Sequence, residues 1–188
     1  MSRACTLAKQ VDVPLLICSP TSLDAIEIIK EFKKKGMTVI GEPSAASLAG
    51  DGSHYFNKCW SHADAFVTSP PLRDDPLTKD KLDEALTDGT LDVVGSDHCT
   101  YDSITREQGK ENFTAIPQGV NGIEERMAIV YERGVVEGKM LMTRFVEVTS
   151  AAAAKLLNLF PRKGCIGVGS DADIVIWNPN YLWLQIIS

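Results

Sequence analysis

The chain has 188 residues, 44% of them hydrophobic and 23% charged, and carries a net charge of −6 at pH 7. That length suits one domain with a real core, or most of one, and the composition is ordinary for a globular protein. The acidic balance argues against a nucleic-acid-binding surface, and no apolar run approaches the roughly 20 residues needed to span a bilayer.

Taken in order, residues 1–12 read as the later part of a helix, with Ala4, Leu7, Ala8 and Val11 at helical spacing. The apolar run Val13–Cys18 reads as a strand buried on both faces. Ser22 is a suitable N-cap for a helix over about 23–35, with Ala25, Ile28, Ile29 and Phe32 inward and Gly36 at its end. Met37–Ile40 is the next strand, completing a strand–helix–strand unit. Residues 41–75 read as mostly irregular, with Phe66–Thr68 as a candidate short strand. Long loops after a strand are where sheet and barrel enzymes keep their sites.

Thr78 is expected to cap a helix over about 79–88, with Leu82, Ala85 and Leu86 inward. Leu91–Gly95 reads as a strand that delivers Asp97 at its C-terminal end. Residues 100–120 read as polar loop. Helices are expected over 122–133, 143–148 and 151–159, the last capped by Ser150. Gly164–Trp177 reads as a turn plus strand, a small β element outside the main layer. The alternation of strands and helices places the chain in the α/β class.

Asp97 is the strongest chemical candidate. It follows a short apolar run and a Gly-Ser pair, with His98 and Cys99 next to it. One carboxylate can serve as metal ligand and as general base, but zinc needs at least three protein groups. His98 is adjacent in sequence and should point the other way. His54 and His62 form no H-x-H or H-E-x-x-H pattern and read as hydrogen-bonded loop or surface histidines. Ser69, in Thr68-Ser69-Pro70-Pro71, lacks a nucleophile elbow. Its better reading is a stiffened backbone that holds a substrate. The cysteines Cys5, Cys18, Cys59, Cys99 and Cys165 form no C-x-x-C pair, which points to a reducing, cytoplasmic setting.

Several motifs occur together in one order. They are Gly41-Glu42-Pro43, Asp51-Gly52-Ser53-His54-Tyr55, Ser69-Pro70-Pro71-Leu72-Arg73 and Gly95-Ser96-Asp97-His98-Cys99-Thr100. They continue with Gly119-Val120-Asn121-Gly122, Glu125-Arg126-Met127, Pro161-Arg162-Lys163-Gly164 and Gly169–Trp177. This set resembles the dihydropyrimidinase/hydantoinase family, which includes the non-catalytic collapsin response mediator proteins. The resemblance covers the later half of the family pattern.

It implies part of a metal-dependent (β/α)8 hydrolase barrel over 1–160 and a piece of a small β-sandwich over 161–188. It implies two zinc ions and hydrolytic opening of a cyclic amide such as dihydrouracil or a hydantoin, in a homotetramer. Asp97 matches the family's proton-shuttling, metal-binding Asp. Ser69 and Gln118 match its two ring-holding positions, Gln118 standing where the family has Asn. Ser19 stands where the family has a His ligand, and a neutral Ser is a poor zinc ligand. The family's H-x-H pair, bridging Lys and further His have no counterpart in the 188 residues. The expectation is therefore a hydrolase of this type whose metal site is incomplete, with no activity of this chain alone. The alternatives are a scaffold like the collapsin response mediators, or a truncated or mis-joined product, as the Met1 start and the Tyr181–Ser188 tail suggest.

Overall fold

The structure is a computed structural model and describes residues 1–179. Helix α1 (Ser2–Gln10) leads into strand β1 (Leu15–Cys18), helix α2 (Leu23–Lys34) and strand β2 (Val39–Glu42). The two strands pair in parallel, Leu15 opposite Val39 and Cys18 opposite Glu42. Helix α2 forms where its signals placed it. Ser22 accepts a hydrogen bond from the Ala25 N–H, and Gly36 takes the left-handed φ of +77° that stops the helix. Its inward face is Ala25, Ile26, Ile29 and Phe32, with Ile28 half-buried.

The first helix also forms, but on a different face. Cys5 and Ala8 are buried, whereas Leu7 and Val11 are exposed. The core gathers α1, α2 and β2 around helix α5 (Leu77–Thr87), through Cys5, Ile29, Val39, Leu48, Leu82 and Leu86. Leu82, Ala85 and Leu86 face inward, as their spacing predicts. Thr78 lies inside the first turn rather than capping it. The Asp75 carboxylate takes the Leu77 N–H instead.

Other segments depart from expectation. Residues 41–75 hold helix α3 (Ala45–Ala49), a 3-10 turn (Gly52–Phe56), helix α4 (Trp60–Ala63) and a second 3-10 turn (Asp64–Phe66). Phe66–Thr68 is not a strand. Leu91–Gly95 lies beside β2 with Leu91, Val93 and Val94 buried, but it is not a strand; among the described residues it makes one isolated bridge, Ser44 to Gly95. The Asp92 carboxylate takes the Gly41 N–H that a ladder would have paired with a carbonyl.

The polar stretch after Asp97 contains helix α6 (Ser103–Glu107). Helix α7 (Arg126–Val130) starts four residues later than expected and runs on as a π-helical turn, Tyr131–Val136. The two helices expected around Ser150 are continuous. Helix α8 (Met142–Val146) passes through a π turn (Glu147–Ala151) into helix α9 (Ala152–Leu156), with Ser150 inside rather than at a cap. Among the described residues, Gly164–Trp177 forms no strand. Trp177 packs on Tyr131 and Phe145, while Ile174, Val175 and Ile176 are exposed. The Tyr181–Ser188 tail lies outside the described residues.

Candidate functional site

The parallel pairing of β1 with β2 brings three chain segments to one end of the sheet. Cys18 ends β1 opposite Glu42, and its Sγ lies 3.6 Å from a Glu42 carboxylate oxygen. Gly95 sits against the same carboxylate, where a Cβ would fall 2.6 Å from Oε1. The next residues then meet. The Ser19 hydroxyl donates to Asp97 Oδ2 at 3.3 Å, joining positions 78 apart in the chain.

Both residues adopt left-handed backbone, φ +51° at Ser19 and +49° at Asp97. That conformation is unfavourable for non-glycine residues and concentrates at functional sites. The Ser19 N–H donates to the Glu42 carbonyl, which holds the turn. Burial, with the Glu42 carboxylate beside it, pushes the Cys18 thiol up, so this cysteine stays protonated and is a poor nucleophile.

Ser69 and Gln118 come together elsewhere. Both line a cavity of about 650 Å³ whose other walls include Tyr55, Trp60, Val67, Phe113 and Ile116. Asp97 does not line it. The aromatic wall is not legible in the sequence, because Tyr55, Trp60 and Phe113 lie on separate short elements with no shared periodicity. The Tyr55 hydroxyl accepts the Leu72 N–H at 2.8 Å, which anchors the segment after Ser69 to the cavity wall.

The buried Arg106 guanidinium donates to the carbonyls of Asp64, which lines the cavity, and of Gly119, which follows Gln118. The Gly119 N–H donates to the Val67 carbonyl, and Cys99 N–H to Val120, so Gln118 sits on a segment tied to both regions. His98 turns its Nδ1 toward the N–H groups of Gly122 and Ile123. His54 and His62 are hydrogen-bonded, as read, and to each other: Nδ1 of the first faces Nε2 of the second at 3.0 Å.

The comparisons decide the lineage. Residues 18–186 match the amidohydrolase family. The chain belongs to the amidohydrolase family. Within it, the chain is 50% identical over 179 residues to dihydropyrimidinase 1 of Caenorhabditis briggsae and 51% identical over 177 residues to rat dihydropyrimidinase. Those alignments cover 95% and 94% of this chain but only 37% and 34% of the relatives. The chain thus spans about a third of the length of these curated relatives. Human dihydropyrimidinase-related protein 5 is 46% identical over 177 residues, covering 94% of this chain and 31% of its own.

A D-hydantoinase (dihydropyrimidinase) from Thermus sp. superposes with a TM-score of 0.91 at 36% identity, covering 96% of this chain and 39% of that one. The dihydropyrimidinase of Brevibacillus agri gives 0.87 at 40% identity, covering 91% and 37%. The α/β unit described above is accordingly part of the metal-dependent hydrolase fold of this family.

The family implies a metal cofactor. The donors at the Asp97 end of the sheet are the exposed Asp97 carboxylate, with the Ser19 hydroxyl for its neighbour, and the Glu42 carboxylate facing the Cys18 thiol. Among the described residues, no three His, Cys, Asp or Glu side chains converge on one point. These residues do not fit a dinuclear metal centre, whose ions each need several anionic or imidazole donors.

Proposed function

We propose that this chain carries the ring-holding and proton-transfer side of a cyclic-amide hydrolase site of the dihydropyrimidinase type, acting on dihydrouracil or hydantoin rings. The observation that carries the reading is the meeting of Ser69 and Gln118 on one cavity, from segments 49 positions apart. A small ring with alternating N–H and C=O groups needs backbone donors and acceptors on one side and apolar walls on the other. Ser69 and Gln118, both exposed on the cavity, and the walls from Tyr55, Trp60 and Val67 suit such a ring.

Ring opening adds water to the carbonyl carbon, breaks the C–N bond and leaves a proton on the departing nitrogen. Asp97 is the group we assign to carry that proton, with the Ser19 hydroxyl orienting its carboxylate. Zinc is the metal the family chemistry calls for, yet these residues supply one of its donors. We therefore expect no dinuclear zinc and no hydrolysis from the 188 residues alone. A second reading, a non-catalytic scaffold, is favoured by Ser19 in place of a His donor. Residues 161–179 we assign to the edge of a small β domain beside the barrel, and the whole enzyme to a cytoplasmic homo-oligomer.

The test uses the purified 188-residue chain. Addition of dihydrouracil should shift the amide resonances of Ser69 and Gly119, with no ring-opened product and no pair of zinc ions by metal analysis. Shifts confined to other residues would overturn the ring-holding assignment. Two zinc ions per chain, lost on Asp97→Ala, would overturn the incomplete centre.

A further inference from the structure

His54 lies in the 3-10 turn Gly52–Phe56 and His62 on α4, eight positions apart with no metal-binding pattern between them. The fold nevertheless aims His54 Nδ1 at His62 Nε2 across 3.0 Å. His54 is held in this pose by Phe66, whose ring stacks on it at 3.8 Å with the planes 2° apart. His62 leans on the same phenyl ring at 5.0 Å. Both imidazoles are half-buried.

We propose that His54 and His62 form a two-imidazole clamp for a late first-row divalent cation such as nickel or copper, separate from the Asp97 region. Two nitrogens this close share either a proton or a metal ion. With metal–nitrogen bonds of about 2.05 Å, the 3.0 Å separation subtends roughly 94° at the ion. That is the cis angle of square-planar and octahedral sites. The ion replaces the shared proton: the donor imidazole changes tautomer, its proton moving to its far nitrogen, so both facing nitrogens offer lone pairs and no net proton is lost.

Water fills the remaining positions, since no third His, Cys, Asp or Glu joins the pair among the described residues. The bound ion ties the turn that carries Tyr55 to the helix that carries Trp60, and so tightens one wall of the cavity. This inference stands apart from the proposed function and does not depend on it.

Nickel is the suitable probe, because five free cysteines would react with copper(II). Titration of the full chain at neutral pH with Ni2+, followed by calorimetry, should show one site. His54→Gln and His62→Gln should each weaken it by roughly tenfold or more. Cys59→Ser and Asp97→Ala should leave it unchanged. If either histidine variant fails to fold, proton NMR of the unaltered chain decides: paramagnetic Ni2+ should broaden the ring signals of His54 and His62 and spare His98. No binding at millimolar Ni2+, binding that survives both histidine changes, or loss on Cys59→Ser would each overturn the clamp.

Discussion

Replacing Asp51 by Asn tests how the cavity wall is held. Asp51 precedes the turn that carries both His54 and Tyr55. One carboxylate oxygen accepts the Ser53 N–H at 3.0 Å and also the Ser53 hydroxyl. The other lies 3.1 Å from Lys79 Nζ on α5. The Ser53 hydroxyl and then the Lys79 ammonium hold this carboxyl down at about 2, from the ordinary 3.8.

A depression of that size corresponds to about 2.4 kcal/mol, at 1.36 kcal/mol for each tenfold change in proton affinity. The Asp51 side chain is 18% exposed and solvent screens the pair, so about 1–2 kcal/mol is the working figure. The sign follows from the direction. The folded chain favours the carboxylate, so the stabilisation is complete above about pH 4 and fades as pH falls toward 2. Asn keeps one acceptor oxygen but loses the charge. Urea unfolding should therefore find Asp51→Asn less stable by about 1–2 kcal/mol near pH 7, with the gap to the parent chain closing as pH falls through 3. A gap that stays constant from neutral pH down to about 2 would refute the reasoning, since a neutral packing defect does not titrate.

Three further substitutions probe the scaffold. Asp92 bridges Lys33 at 2.8 Å and the Gly41 N–H at 2.8 Å, so Asp92→Ala should cost about 1–3 kcal/mol and speed hydrogen exchange at the Gly41 amide. Arg106→Lys should lose about 2–3 kcal/mol in thermal or urea unfolding, because one ammonium cannot reach the carbonyls of Asp64 and Gly119 as a planar fork does. Gly122→Ala should destabilise by about 1–3 kcal/mol in the same assay, since its Cβ would fall 2.1 Å from the Ser96 carbonyl oxygen.

The fold was legible where one local signal was enough. Ser22, the apolar face of α2 and Gly36 each act within a few residues of where they stand, so the helix formed as read. The same holds for Leu82, Ala85 and Leu86. Legibility failed where a distant partner decides. Val93 and Val94 have strand-forming side chains, but the Asp92 carboxylate takes the place of a ladder carbonyl at Gly41 and leaves their segment irregular. Ser150 has the chemistry of a cap, yet the buried Val148 and Thr149 carry the helix through it as a π turn. The β-branched run Ile174–Ile176 has strand propensity but pairs with nothing among the described residues. Propensity of this kind measures fit to a neighbouring strand more than a backbone preference.

At the candidate site, Asp97 was legible as a candidate because it follows a short apolar run and a Gly-Ser pair, with His98 and Cys99 beside it. Its contact with Ser19 was not, because nothing local in Ile17–Pro20 signals the left-handed backbone that Ser19 shares with Asp97. The two halves of the proposed site are nevertheless mechanically joined. Gln118 is followed by Gly119, whose N–H is tied to Val67 at the cavity wall. The next residue, Val120, accepts the Cys99 N–H and bridges His98, directly beside Asp97. Arg106 pins the same Gly119 from the other side. A ring bound against Gln118 would therefore press on a segment that also fixes the backbone next to Asp97. Proton transfer itself still needs the ring nitrogen to come within hydrogen-bond reach of Asp97.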